Sequence, residues 1–266
     1  MSELIVENIE FIALFGFLSL LINAYAWKKG VYRIPIEGQP LNINVLYVLI
    51  IFAIFLGSTL FLPLVFGSQL QILTLLATAL FLYLYCATLH KKLTEQIWKR
   101  SSSTIKHDLF LGAISWVLAF PVVSCIGEIC DLIIILFFGE QNYEQTAVQF
   151  LKSSLAHPLT LLSAGFTILI AAPIFEEFLF RGVLQNWFKK HLGIKAAIPL
   201  TSLFFALFHF SPMQNLGNFS LTVSLFFLGC FLGFIYEKER SLYASIGLHA
   251  TFNAISTLRI ALFPEA

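Results

Sequence analysis

The sequence predicts an all-α fold, a polytopic transmembrane helix bundle of about eight spans, and three observations predict it. Hydrophobic residues make up 58% of the 266 residues, charged residues only 12%, and mean hydropathy is +0.85. That composition belongs to a membrane protein rather than a soluble domain. The apolar residues fall into eight runs, most of them long enough to cross a hydrocarbon layer of about 30 Å. The basic residues between those runs are sorted to one side.

Taken in order, the runs lie near 9–27, 45–66, 70–89, 109–138, 158–188, 195–211, 219–236 and 241–263. With the N-terminus outside, the inner connections hold Lys28, Lys29 and Arg33, then Lys91, Lys92, Lys99, Arg100 and Lys106. They continue with Arg181, Lys189, Lys190 and Lys195, then Lys238 and Arg240. Of the 16 basic residues only Lys152 and Arg259 fall elsewhere, and the positive-inside rule selects this orientation, with both termini outside. The first run follows Glu3, Glu7 and Glu10 rather than a basic segment. It is expected to stay as an anchor instead of being cleaved as a signal peptide.

Sixteen Lys and Arg against fifteen Asp and Glu leave no net field, so nucleic acid is not an expected partner. The membrane bilayer is. Cys86, Cys125, Cys130 and Cys230 lie in apolar runs without metal-ligand spacing and read as small packing residues. Gly229 and Gly233 form a GxxxG that suits close helix contact inside the bundle. The outer connection 139–157, with Glu140 and Glu144, is expected to form a short surface helix.

Two regions differ in character. Residues 1–108 are apolar helices with a basic loop at 90–108 and read as an accessory part. Residues 109–266 hold nearly all the polar groups at membrane depth, and the last four spans read as the functional core. The clearest of these groups are Glu176 and Glu177, side by side in AAPIFEEFLFRGVLQ. A charge at bilayer depth costs roughly 2.5–3.5 kcal/mol even on lenient scales, so both need partners. Arg181 lies four residues after Glu177, on the same helix face. Glu176 is offset by about 100° of helical rotation and can point elsewhere. One acid is expected to be structural and the other free for chemistry.

His209, in FFALFHF, shares a helix face with Phe205. His249 and Asn253, in GLHATFN, share another. A single intramembrane His is ordinarily a hydrogen-bonded packing residue, and that bland reading weakens when several polar groups can meet. At about 1.5 Å per residue, Glu176 lies roughly 20 Å from Lys189, His209 roughly 21 Å from Lys195 and His249 roughly 14 Å from Arg240. All three can therefore converge inside the membrane on the cytoplasmic side. Pro173 and Pro199 qualify the assumption of straight helices.

Such a cluster has the parts for hydrolysis by water. A carboxylate can serve as general base, a His can share that work, and a second His with an Asn amide can stabilise an oxyanion. Glu176, His209 and His249 are also candidate metal ligands, zinc being the divalent ion such a set suits. A metal-free glutamate mechanism is equally open. No HExxH and no GxSxG occur, which excludes the standard zincin and serine-esterase patterns.

EEFLFR reads as EExxxR, FALFH as FxxxH and HATFN as HxxxN, in that order. Over residues 158–260 the chain resembles the CAAX-protease and bacteriocin-processing (CPBP, or Abi) family of intramembrane proteases, which includes the type II CAAX prenyl endopeptidases. The resemblance implies that Glu176 activates the attacking water with His209 assisting. It implies that Arg181 holds Glu177, and that His249 and Asn253 stabilise the tetrahedral oxyanion. It implies an endopeptidase acting on membrane-associated, including prenylated, proteins or peptides, located in the plasma or inner membrane. Members are often labelled metalloproteases, and a metal-free mechanism is argued for them as well.

Two other function classes compete. Glu128 and Asp131 in the fourth run lie outside the three motifs and suit a proton-coupled transporter; the plainer reading has them facing the outer loop or a neighbour. A non-catalytic membrane scaffold or bacteriocin-immunity protein would act by binding alone.

Overall fold

The computed structural model describes residues 2–34, 41–66, 71–88, 91–139, 146–154 and 158–262. Among the described residues there are ten helices and no strand. They are α1 (Ser2–Lys28), α2 (Val45–Phe66), α3 (Gln71–Thr88), α4 (Lys91–Trp98), α5 (Ile105–Phe138) and α6 (Thr146–Ser154). Then follow α7 (Pro158–Leu192), α8 (Ile194–Phe208), α9 (Gly217–Glu239) and α10 (Leu242–Leu262). The protein is a helical membrane bundle. Each of the eight apolar runs becomes a helix, but five of them (α1, α2, α5, α7 and α9) are long and apolar enough to cross a membrane. The helices α3 and α8 fall short in length, and α10 has the length but carries more polar side chains.

Within the expected outer connection, α6 is the short helix; Glu140 and Glu144 lie outside the described residues. The proposed division at residue 108 falls inside α5, which begins at Ile105 under a Thr104 cap whose hydroxyl accepts from the His107 N–H.

α5 is the axis of the bundle, packed on one side by α1 and on others by α9 and α10. Its approach to α10 is close because glycines sit where the backbones cross: a Cβ on Gly112 would strike the Ala244 carbonyl. The GxxxG of α9 acts the same way within the bundle. A Cβ on Gly229 would lie 2.9 Å from Ser202 Cβ, and one on Gly233 would lie 2.6 Å from Gln185 Oε1. The four cysteines are unpaired.

The basic connections gather at one end. Lys99 and Ser241 form a β-bridge, Arg100 N–H donates to the Arg240 carbonyl at 2.8 Å, and Lys238 reaches the Val31 carbonyl at 2.6 Å. Lys190 meets Asn42 at 2.7 Å. Two members of the expected cationic set do not belong there, the first being Arg181, which is fully buried inside the bundle. Lys189 is likewise inside, paired with Glu237 at 2.5 Å. A hydropathy count cannot distinguish a loop cation from one neutralised by a neighbouring helix.

Candidate active site

α7 supplies the carboxylates, and its backbone is irregular on both sides of them. Thr167–Ala171 and Phe178–Gln185 are π-helical, separated by the α-helical turn Ala172–Glu177. A π-turn widens the helix and frees carbonyls from their usual partners, a geometry often found at functional sites. All eight residues of the second π-segment are buried, so α7 crosses the middle of the protein here.

Glu177 faces inward and is 0% exposed; its Oε1 accepts from Arg181 Nη1 at 3.0 Å and from His249 Nδ1 at 2.8 Å. Arg181 donates from Nη2 to the Gly229 carbonyl at 3.2 Å. A buried charge without such partners would be strongly destabilising, and this pair supplies them from α7, α9 and α10. The ion pair is the one the four-residue spacing predicts.

Glu176 points the other way. Its side chain is 14% exposed, and its Oε2 lies 3.5 Å from His209 Nε2 and 3.8 Å from His249 Nε2. That oxygen is buried and has no closer hydrogen-bond partner in the protein. His209 sits just past the end of α8, where its backbone (φ −90°, ψ 1°) leaves the helix. Its Nδ1 faces the Phe205 carbonyl at 2.8 Å. Since a carbonyl only accepts, Nδ1 carries hydrogen and Nε2 is the nitrogen turned to Glu176. His249 has a carboxylate oxygen facing each ring nitrogen, Glu177 at 2.8 Å from Nδ1 and Glu176 at 3.8 Å from Nε2.

Asn253 is placed one turn beyond His249, yet its amide is engaged: Nδ2 donates to the Ile168 carbonyl at 2.9 Å. Ile168 lies in the first π-segment, so Asn253 ties α10 to the part of α7 whose carbonyls the π-turn has displaced. One N–H of the amide remains for another acceptor.

The structure thus brings Glu176, Glu177, Arg181, His209 and His249 into one connected cluster, with Asn253 beside it. Glu128 and Asp131 are not part of it. They lie about 35–39 Å along α5 from its inner end, where Glu128 is within electrostatic reach of Asp131 and Arg259. As for metal, no group of three His, Cys, Asp or Glu side chains among the described residues is spaced to hold an ion. Glu176, His209 and His249 nonetheless converge, with the two imidazole Nε2 atoms 3.5 and 3.8 Å from Glu176 Oε2.

Sequence reasoning did not anticipate the extension of this network along α7 and α9. Gln185 donates to the Gly233 carbonyl and to Glu237, both at 3.2 Å, and Asn186 donates to Tyr236 at 2.6 Å. With Arg181 and Lys189, these contacts recur every four residues on both helices. The four-residue spacing of Arg181, Gln185 and Lys189 was the available signal.

Fold and cluster together define a polytopic membrane protein with a carboxylate–imidazole site inside its helix bundle. Residues 158–255 match the model of a protein family described as Rce1-like, type II CAAX prenyl endopeptidase Rce1-like. This region is therefore similar to the type II CAAX prenyl endopeptidases, and the match agrees with the CAAX-protease and bacteriocin-processing family that the three motifs resemble. All six residues singled out above fall within the matched span, and α1–α6 fall outside it. No curated protein and no solved structure matches the chain.

Proposed function

We propose that this protein is an intramembrane endopeptidase that hydrolyses peptide bonds of membrane-associated proteins or peptides, prenylated ones included. The observation that carries this reading is the approach of His209 and His249 to Glu176 Oε2 at 3.5 and 3.8 Å. A water bridging Glu176 and His209 would be the apex of a triangle on their 3.5 Å separation, at hydrogen-bond distance from both, once side-chain motion opens the buried Oε2 to it.

In the reaction, Glu176 Oε2 takes a proton from this water as its oxygen attacks the substrate carbonyl carbon. The carbonyl oxygen becomes an oxyanion and is met by His249 Nε2–H and the remaining Asn253 N–H. The proton held by Glu176, relayed with help from His209, passes to the amide nitrogen as the C–N bond breaks. The products are an amine and a carboxylic acid, which releases its proton to become the carboxylate. Glu177 and Arg181 take no proton; they fix His249 and keep the site neutral overall around one working carboxylate. The site opens to the cytoplasmic side of the plasma or inner membrane in this reading, which the gathering of the basic connections at one end of the bundle supports. The accessory part, 1–108, closes the bundle around the C-terminal core.

The test compares new protein termini in membranes of cells carrying wild type with those carrying Glu176→Ala at matched expression. Termini present only with wild type support proteolysis and reveal the substrate class. Identical profiles contradict it.

A further inference from the structure

The side chain that joins the separate parts of the cluster is an apolar one. Phe205 is fully buried on α8, and its ring meets groups from three helices. Arg181 Cζ lies 4.4 Å from the ring centroid, the His209 ring 4.8 Å and the His249 ring 5.8 Å, the last in a T-shaped contact. Phe180 closes a fourth side, edge to face at 5.3 Å.

The Arg181 contact is the most consequential. Its guanidinium has Nη1 and Nη2 bonded to Glu177 and Gly229, while Nε is buried without a hydrogen-bond partner. The aromatic face beneath it is what remains to compensate a desolvated cation, and a ring quadrupole does so most effectively away from water. Arg181 in turn holds Glu177, and Glu177 holds His249 by Nδ1. On the other side, the backbone carbonyl of Phe205 fixes His209 at 2.8 Å. Both imidazoles that face Glu176 are therefore oriented from one residue.

The geometry points to Phe205 as a positioning residue of the site, acting through the charge distribution of its ring on Arg181 as well as through its shape. The inference rests on the proteolytic reading above, and it makes a distinction that packing alone does not. Fluorination of a phenyl ring withdraws charge from its face while scarcely changing its size. A packing role is indifferent to that change; a cation–π role is not.

The test places mono-, di- and trifluorinated phenylalanine at position 205 of the full-length protein, with Phe205→Leu alongside, in lipid bilayers. The probe is a quenched fluorescent peptide with an S-farnesyl cysteine three residues from its C-terminus. The expected result is a stepwise fall in kcat along the series, about tenfold in total, with KM unchanged within about twofold and Phe205→Leu below the whole series. A flat series against an active wild type overturns the inference and leaves the proteolytic reading standing. Should wild type cleave nothing, that reading is what has failed, and the melting temperatures of the same series decide the Phe205 question. A stepwise fall supports the stack on Arg181, and equal values overturn it.

Discussion

Helix α1 and the π-helical stretch of α7 are both apolar segments of one membrane protein, and they solve opposite problems. α1 turns most of its length outward: Phe17, Leu20 and Trp27 are 64%, 75% and 74% exposed, and only 6% of its apolar window is buried in the protein. Phe178–Gln185 is buried at every residue and carries Arg181 and Gln185 within it. In lipid, apolar surface gains nothing from burial beyond packing, so α1 needs only length and hydropathy. A charged or polar residue at the same depth needs a partner: Arg181 finds one in Glu177, just before the segment, and Gln185 finds one in Glu237 on α9. The difference teaches where sequence change is tolerated and where it is not.

The comparison can be broken from its strong side first. Arg181→Ala leaves Glu177 buried with no cation and should cost about 3–5 kcal/mol of stability together with the activity; thermal unfolding in bilayers measures it, and an unchanged melting temperature removes the pairing argument. Asn253→Ala comes next. It should lower kcat by about 10²-fold, and because the Ile168 bond is lost with it, stability should fall by about 1 kcal/mol. A changed rate with unchanged stability would mean that the amide serves substrate alone. Gly233→Ala should cost about 1–3 kcal/mol, since the added Cβ meets Gln185 Oε1 at 2.6 Å. On the weak side, Leu20→Ala on α1 should change stability by less than about 0.5 kcal/mol. A loss as large as that of Gly233→Ala would show α1 to be more than a lipid-facing element.

What could be read from the sequence follows the same division. Each of the eight apolar runs is a helix because hydropathy alone demands it. The Glu177–Arg181 pair was legible from a spacing of four, and so was the sharing of one face by His249 and Asn253. The misreading of Arg181 as a loop cation arose because a charge count ignores what stands on the neighbouring helix; Glu177 and the Gly229 carbonyl decide its place. The Asn253–Ile168 bond was hidden for a deeper reason. Ala172 N–H turns to the Thr167 carbonyl, and Pro173, five residues after Ile168, has no N–H to give, so the Ile168 carbonyl is left for Asn253; Pro173 was the signal, and nothing in TILIA itself announces the π-turn. Lys189, assigned to an inner connection in the sequence, forms a buried pair with Glu237 because α7 and α9 run side by side with matched spacing.

The central claim is that Glu176, rather than its paired neighbour, activates the water. Steady-state hydrolysis of the farnesylated quenched peptide by purified wild type and Glu176→Gln tests it most directly, with unfolding measured on the same samples. The account predicts a loss in kcat of about 10²–10⁴-fold, with folding and KM retained, because Gln keeps the shape but cannot take the proton. A Glu176→Gln enzyme that turns over at the wild-type rate would contradict it.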